Sequence, residues 1–93
     1  MNNLTQIPGS TDISNYVYTS PVGGKKIEIS IWKRTYDAQS CPVGFARFMG
    51  QNYWKAGVRL GSRNAFIWLD GNFHWPDKAL EEAVYVAQGI CNI

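Results

Sequence analysis

Residues 53–88 read YWKAGVRLGSRNAFIWLDGNFHWPDKALEEAVYVAQ, and the succession of patterns in them decides the fold. From 53 to 60 apolar and polar residues alternate, the period of a half-buried strand. Trp54, Ala56, Val58 and Leu60 fall on one side, and Lys55, Gly57 and Arg59 on the other. Gly61-Ser62-Arg63-Asn64 has turn chemistry, 65–69 reads as a further strand, and Asp70-Gly71-Asn72 ends it. A helix then starts near Pro76, whose fixed φ suits the first helical position. Asp77, Glu81 and Glu82 load its early turns, as the helix dipole prefers. Leu80, Ala83, Val84 and Ala87 form its apolar stripe, and Gly89 is the expected carboxy-terminal cap. Trp75 stands where Ser, Thr, Asp or Asn would usually cap the start.

The strand pattern continues towards the amino terminus. Residues 25–36 place Ile27, Ile29 and Ile31 on one face, with Lys26, Glu28, Ser30, Trp32 and Arg34 on the other. They pair with a strand at 15–20 through the turn Pro21-Val22-Gly23-Gly24. Residues 37–42 read as a loop and 43–49 as a third strand, with Phe45, Arg47 and Met49 on one side and Ala46 and Phe48 on the other. Residues 1–14 form an arm, either flexible or strapped down, ahead of a single domain at 15–93. The expected fold is α+β: an antiparallel sheet of four or five strands with one carboxy-terminal helix packed on one face.

Bulk properties agree with one small globular domain. The chain has 93 residues, 45% hydrophobic and 17% charged, and a net charge of +2. That charge is unevenly spread. Residues 25–63 carry eight Lys or Arg against Glu28 and Asp37, while the rest holds Lys78 against five carboxylates. The strands are basic and the helical end is acidic, which can steer an acidic partner but falls short of a dedicated nucleic-acid arm. The polar amino terminus and the lack of a long apolar stretch lead us to expect a cytoplasmic protein, outside the membrane, with Cys41 and Cys91 reduced.

Catalytic chemistry finds little support. His74 is the one histidine, flanked by Phe73 and Trp75, and no nucleophile motif accompanies it. Gly23-Gly24 lacks the Lys-Ser/Thr of a phosphate loop, and no Cys/His set reaches the three or four ligands that zinc needs. Glu81 and Glu82 are neighbours whose side chains diverge, so they do not form an acid/base pair. The expectation is a protein without catalytic activity, metal or cofactor.

Binding is the better-supported expectation. One helix covers one face of a sheet, so the other should be exposed, carrying Trp32, Arg34, Phe45, Arg47, Lys55 and Arg59. Trp and Arg are the types most often found as interface hot spots, and rings interleaved with cations also suit nucleic acid. The competing reading has the 1–14 arm folded over Trp32 and Phe45. A homodimer seam through Trp32 and Trp68 is a further possibility beside a monomer.

Two resemblances bear on the partner. The segments Trp54-Lys55-Ala56-Gly57-Val58-Arg59-Leu60 and Phe66-Ile67-Trp68-Leu69, leading into Pro76-Asp77-Lys78-Ala79-Leu80-Glu81-Glu82-Ala83, resemble DNA-binding domains of the phage integrase amino-terminal and plant ethylene-response types. That resemblance implies a three-stranded sheet reading duplex DNA. In size, small-sheet-plus-helix order and missing catalytic residues the chain also resembles the anti-CRISPR proteins, small phage-encoded inhibitors of host defence. This second resemblance implies a protein in the host cytoplasm that docks on a nucleic-acid-handling effector complex and blocks it. The expected partner-binding residues are then Trp32, Arg34, Arg47, Lys55 and Arg59 on the sheet, with Asp77, Glu81 and Glu82 on the helix facing a basic channel.

Overall fold

The structure is a computed structural model that describes residues 3–37, 44, 46–61 and 63–91. Five strands, β1 (Leu4–Ile7), β2 (Ile13–Thr19), β3 (Lys26–Thr35), β4 (Asn52–Leu60) and β5 (Ile67–Trp68), are followed by α1 (Pro76–Cys91). The strands lie in sequence order as one antiparallel meander. The α+β architecture is therefore as expected, with α1 packed across β3 and β4.

The alternation in β3 and β4 sets the two faces. Register pairs Ile27 with Leu60, Ile29 with Val58 and Ile31 with Ala56. The three isoleucines, Ala56 and Val58 are buried beneath Ala79, Ala83, Val84 and Ala87 of α1. Burying each large aliphatic contributes roughly 1.5–3 kcal/mol. Ala79, Ala83 and Ala87 recur every four residues on one helix face and are fully buried. Their small side chains let the helix lie close to the sheet. Leu80, expected in that stripe, is half-buried beside it.

Several expectations are corrected. Of the two readings of residues 1–14, the strapped-down one holds for 4–7 and the flexible one does not. Residues 4–7 pair with 15–18 as the edge strand, the chain turning back through Pro8 and Gly9. The described residues of 43–49 form no strand: Ala46–Phe48 form one 3-10 turn. Gly44 and Gly50, at φ 88° and 80°, bracket this segment in a conformation that bends the chain and breaks an extended run. Residues 38–43 and 45, including Cys41 and the expected strand residue Phe45, lie outside the described residues. Gly89 does not cap the helix, which continues through it to Cys91, a half-buried free thiol. At the other end the Trp75 carbonyl accepts a hydrogen bond from the Ala79 amide, so Trp75 occupies the cap position without a capping side chain.

Candidate functional site

α1 leaves the opposite face of the sheet uncovered, and the register arranges that face's side chains in rows across the strands. One row runs Ile7, Asn15, Ser30, Gly57 and Trp68; the next is Ile13, Trp32 and Lys55; Arg34 follows beside Tyr53. Gly57 is the gap in this pattern. Trp68, opposite it on β5, fills the space, and a Cβ at position 57 would lie 2.8 Å from the Trp68 ring. A cross-strand aromatic ring thus covers the bare glycine backbone. The Trp68 indole remains 40% exposed above it.

Trp32 meets Trp68 edge to face, with centroids 4.9 Å apart and planes at 70°, the arrangement that the charge distribution of aromatic rings favours. The orientation of Trp32 is fixed from below. Its Nε1–H donates to Ser30 Oγ at 2.8 Å, and Ser30 Oγ donates to Asn15 Oδ1 at 3.0 Å. Asn15 Nδ2 in turn donates to the Pro8 carbonyl at 3.2 Å. Ser30 is itself buried, so this relay ties Trp32 to the sheet and to the chain leaving β1.

The two indoles, with Arg34 and Lys55, line a shallow hollow of about 200 Å³. Such a volume lies below the roughly 300–1,000 Å³ of pockets that enclose a drug-sized ligand, so it suits a single ring or side chain. Lys55 Nζ donates to the Gly71 carbonyl at 2.8 Å and to Asn72 Oδ1 at 3.2 Å. Arg34 is exposed and has no ion-pair or side-chain hydrogen-bond partner among the described residues. A second hollow of about 210 Å³ on this side includes Ile7, Asn15, Glu28, Arg59 and Phe66 in its lining. There the Arg59 guanidinium takes Glu28 at 2.5 and 3.2 Å and sits over the Phe66 ring at 4.4 Å.

The expected site residues therefore divide into three groups. Trp32, Arg34, Lys55 and Arg59 share the open face, although Arg59 is neutralised by Glu28 and Lys55 is tethered to the 71–72 loop. Arg47, expected on the same face, lies instead on the 46–48 turn, where its guanidinium rests on Phe48 at 5.1 Å. The loss of the third strand is the cause. Asp77, Glu81 and Glu82 are exposed on α1, across the sheet from the two indoles, so a flat partner meets one group or the other. The arm does not fold over Trp32, because β1 lies in the plane of the sheet at its edge.

Sequence reasoning had left Trp68 to a homodimer seam and overlooked Ser30, Asn15 and Gly57. The signal available was Gly57 itself, since a glycine inside a strand marks a close approach. His74 belongs to a separate aromatic group. Its Nε2 lies 3.3 Å from Tyr36 Oη, and Tyr36 stacks on Phe48 and tilts against Tyr53. Among the described residues no three His, Cys, Asp or Glu side chains are grouped to hold a metal ion. Among the described residues no helix is long and apolar enough to cross a membrane. Comparison of the chain with protein-family models, with curated proteins and with solved structures finds no match.

Proposed function

We propose that this chain is a non-catalytic binding domain that docks through the helix-free face of its sheet. The observation that carries this reading is the edge-to-face pair of Trp32 and Trp68, held in an open hollow beside Arg34 and Lys55. Trp and Arg dominate binding energy where they are desolvated at the centre of an interface. The Ser30–Asn15 relay holds Trp32 in place beforehand, which lowers the entropy lost on docking.

The partner we propose is a nucleic-acid-handling effector complex of host defence, which the domain blocks in the manner of the small phage-encoded inhibitors that it resembles. The two sides of the domain support that choice through charge. The open face offers cations to a nucleic acid or an acidic surface. Asp77, Glu81 and Glu82 on α1, on the far side, complement the basic walls of a channel that encloses the domain. Capture of the effector from a bacterial host, identified by mass spectrometry, tests the reading. Retention by the unaltered domain and its loss in Trp32→Ala and Arg34→Glu is expected; retention indifferent to both substitutions would refute the face.

Duplex DNA read by β2, β3 and β4 is the second reading. It is favoured by the three long strands lying in order with the helix behind them. Against it, Arg59 is neutralised by Glu28 inside the chain, which leaves Arg34 and Lys55 beside the indoles, few cations for the two backbones of a duplex. Tight duplex binding with a steep salt dependence would support it.

A further inference from the structure

The open face presents a floor, a wall and two cations, and these suit one kind of group. The Trp68 ring lies against the Gly57 backbone, with Phe66 tilted beside it at a centroid distance of 5.9 Å, and the 40% of the residue that remains exposed is the area available for stacking. Trp32 stands at 70° to it as a wall. Arg34 and Lys55 complete the lining of the same hollow, which is the size of a single ring. A planar ring that carries an anionic group satisfies all four residues together, whereas an aliphatic side chain leaves the cations unmatched and a bare carboxylate leaves the indole uncovered. Stacking needs an open ring face, which an unpaired base offers and a base inside a duplex does not.

We infer that the Trp32–Trp68 hollow binds one unpaired nucleotide of a single strand, its base stacked on the Trp68 indole and its phosphate held by Arg34 with Lys55. This rests on the reading of the open face as the docking surface, and it names what a nucleic-acid-handling partner presents there: the strand it carries. The neighbouring hollow limits the footprint. Arg59 and Phe66 line it as a cation and a ring, but the Glu28 carboxylate paired to Arg59 opposes a second phosphate. One nucleotide is gripped and its neighbours are held weakly, so lengthening the strand beyond a few nucleotides adds little affinity per site.

The test is titration of the full chain with a twelve-nucleotide oligothymidylate and with a duplex of the same length, followed by tryptophan fluorescence at several salt concentrations. Saturable quenching by the single strand, with duplex binding at least tenfold weaker, is expected. Trp68→Ala should weaken single-strand binding by about fivefold or more, and Trp68→Phe should restore part of it. Arg34→Ala, at an exposed position where folding is not at issue, should flatten the slope of log affinity against log salt by about 0.7. Absence of quenching, duplex binding as tight as single-strand binding, or affinity unmoved by both Trp68→Ala and Arg34→Ala would overturn the inference. The two readings fail separately. Effector capture that needs Trp32 and Arg34, from a domain that ignores the oligonucleotide, overturns the nucleotide while keeping the face. Capture indifferent to those residues removes the face itself.

Discussion

Replacing Gly57 with alanine perturbs the open face at a single point. The added Cβ would sit 2.8, 2.9 and 3.1 Å from three Trp68 ring carbons, where ordinary contact begins at 3.4 Å. The indole must therefore lift by about 0.6 Å at its nearest atom. Overpacking of this kind costs about 1–3 kcal/mol in a closed core. Trp68 lies on a two-residue edge strand and is 40% exposed, so it can yield, and the lower end applies. Weakening the contact with Trp32 adds about 0.5–1.5 kcal/mol, while removing a glycine from a strand returns about 0.5–1 kcal/mol. The net loss is about 1 kcal/mol, or roughly 4–8 °C in Tm for a domain of this size. A double-mutant cycle in urea isolates the cause. In a Trp68→Ala background the same Gly57→Ala change should become neutral or stabilising, a coupling of about 1 kcal/mol or more. The circular-dichroism signal of the coupled indoles should also shrink in Gly57→Ala alone. An equal loss with and without Trp68, or an unchanged indole signal, would refute the packing argument.

Three further outcomes are expected. Ile29→Ala removes a side chain only 1% exposed under the helix and should cost about 2–5 kcal/mol, whereas Ile67→Ala, at 65% exposure, should stay within about 0.5 kcal/mol in the same urea series. Ser30→Ala takes the acceptor from the Trp32 indole and the donor from Asn15 Oδ1; a loss of about 1–3 kcal/mol should come with a moved Trp32 indole resonance, and an unmoved resonance would show that the relay does not orient the ring. Charge reversal at Glu81 and Glu82, both exposed on α1, turns the Lys78–Glu81 pair into a like-charge pair and should cost about 1 kcal/mol or less, while it weakens effector capture less than Trp32→Ala does; the opposite ranking would transfer the main docking role to the helix.

What the sequence disclosed follows from where side-chain period is strongly enforced. The Ile27-Ile29-Ile31 alternation, the matching pattern in 53–60 and the helical stripe each bury one face, so they set strand, register side and helix at once. The order of the strands across the sheet was not legible from these patterns and comes from the pairing itself. Residues 4–7 were not, because Leu-Thr-Gln-Ile at a sheet edge is half exposed and owes its strand to pairing with β2 rather than to its own pattern. Residues 44–50 misled in the opposite sense: their apolar content suggests a strand, but two left-handed glycines override it. That single error also moved Arg47 from a strand to the 46–48 turn. The place of Trp68 beside Arg34 and Lys55 was not legible because it comes from the missing side chain across the ladder at Gly57, a relation between strands that only register reveals. The internal partners of Lys55 and Arg59 depend on distances that no spacing rule supplies.

The four indoles of this chain allow the docking claim to be read directly. Trp32 and Trp68 stand on the open face, Trp54 packs against the core on the helix side, and Trp75 is exposed beside the start of α1. A nitrogen–proton correlation spectrum recorded with and without the captured effector resolves one Nε1–H signal from each. The signals of Trp32 and Trp68 should shift or broaden while those of Trp54 and Trp75 hold their positions. A spectrum in which Trp75 moves and the Trp32–Trp68 pair stays in place would contradict docking through the helix-free face.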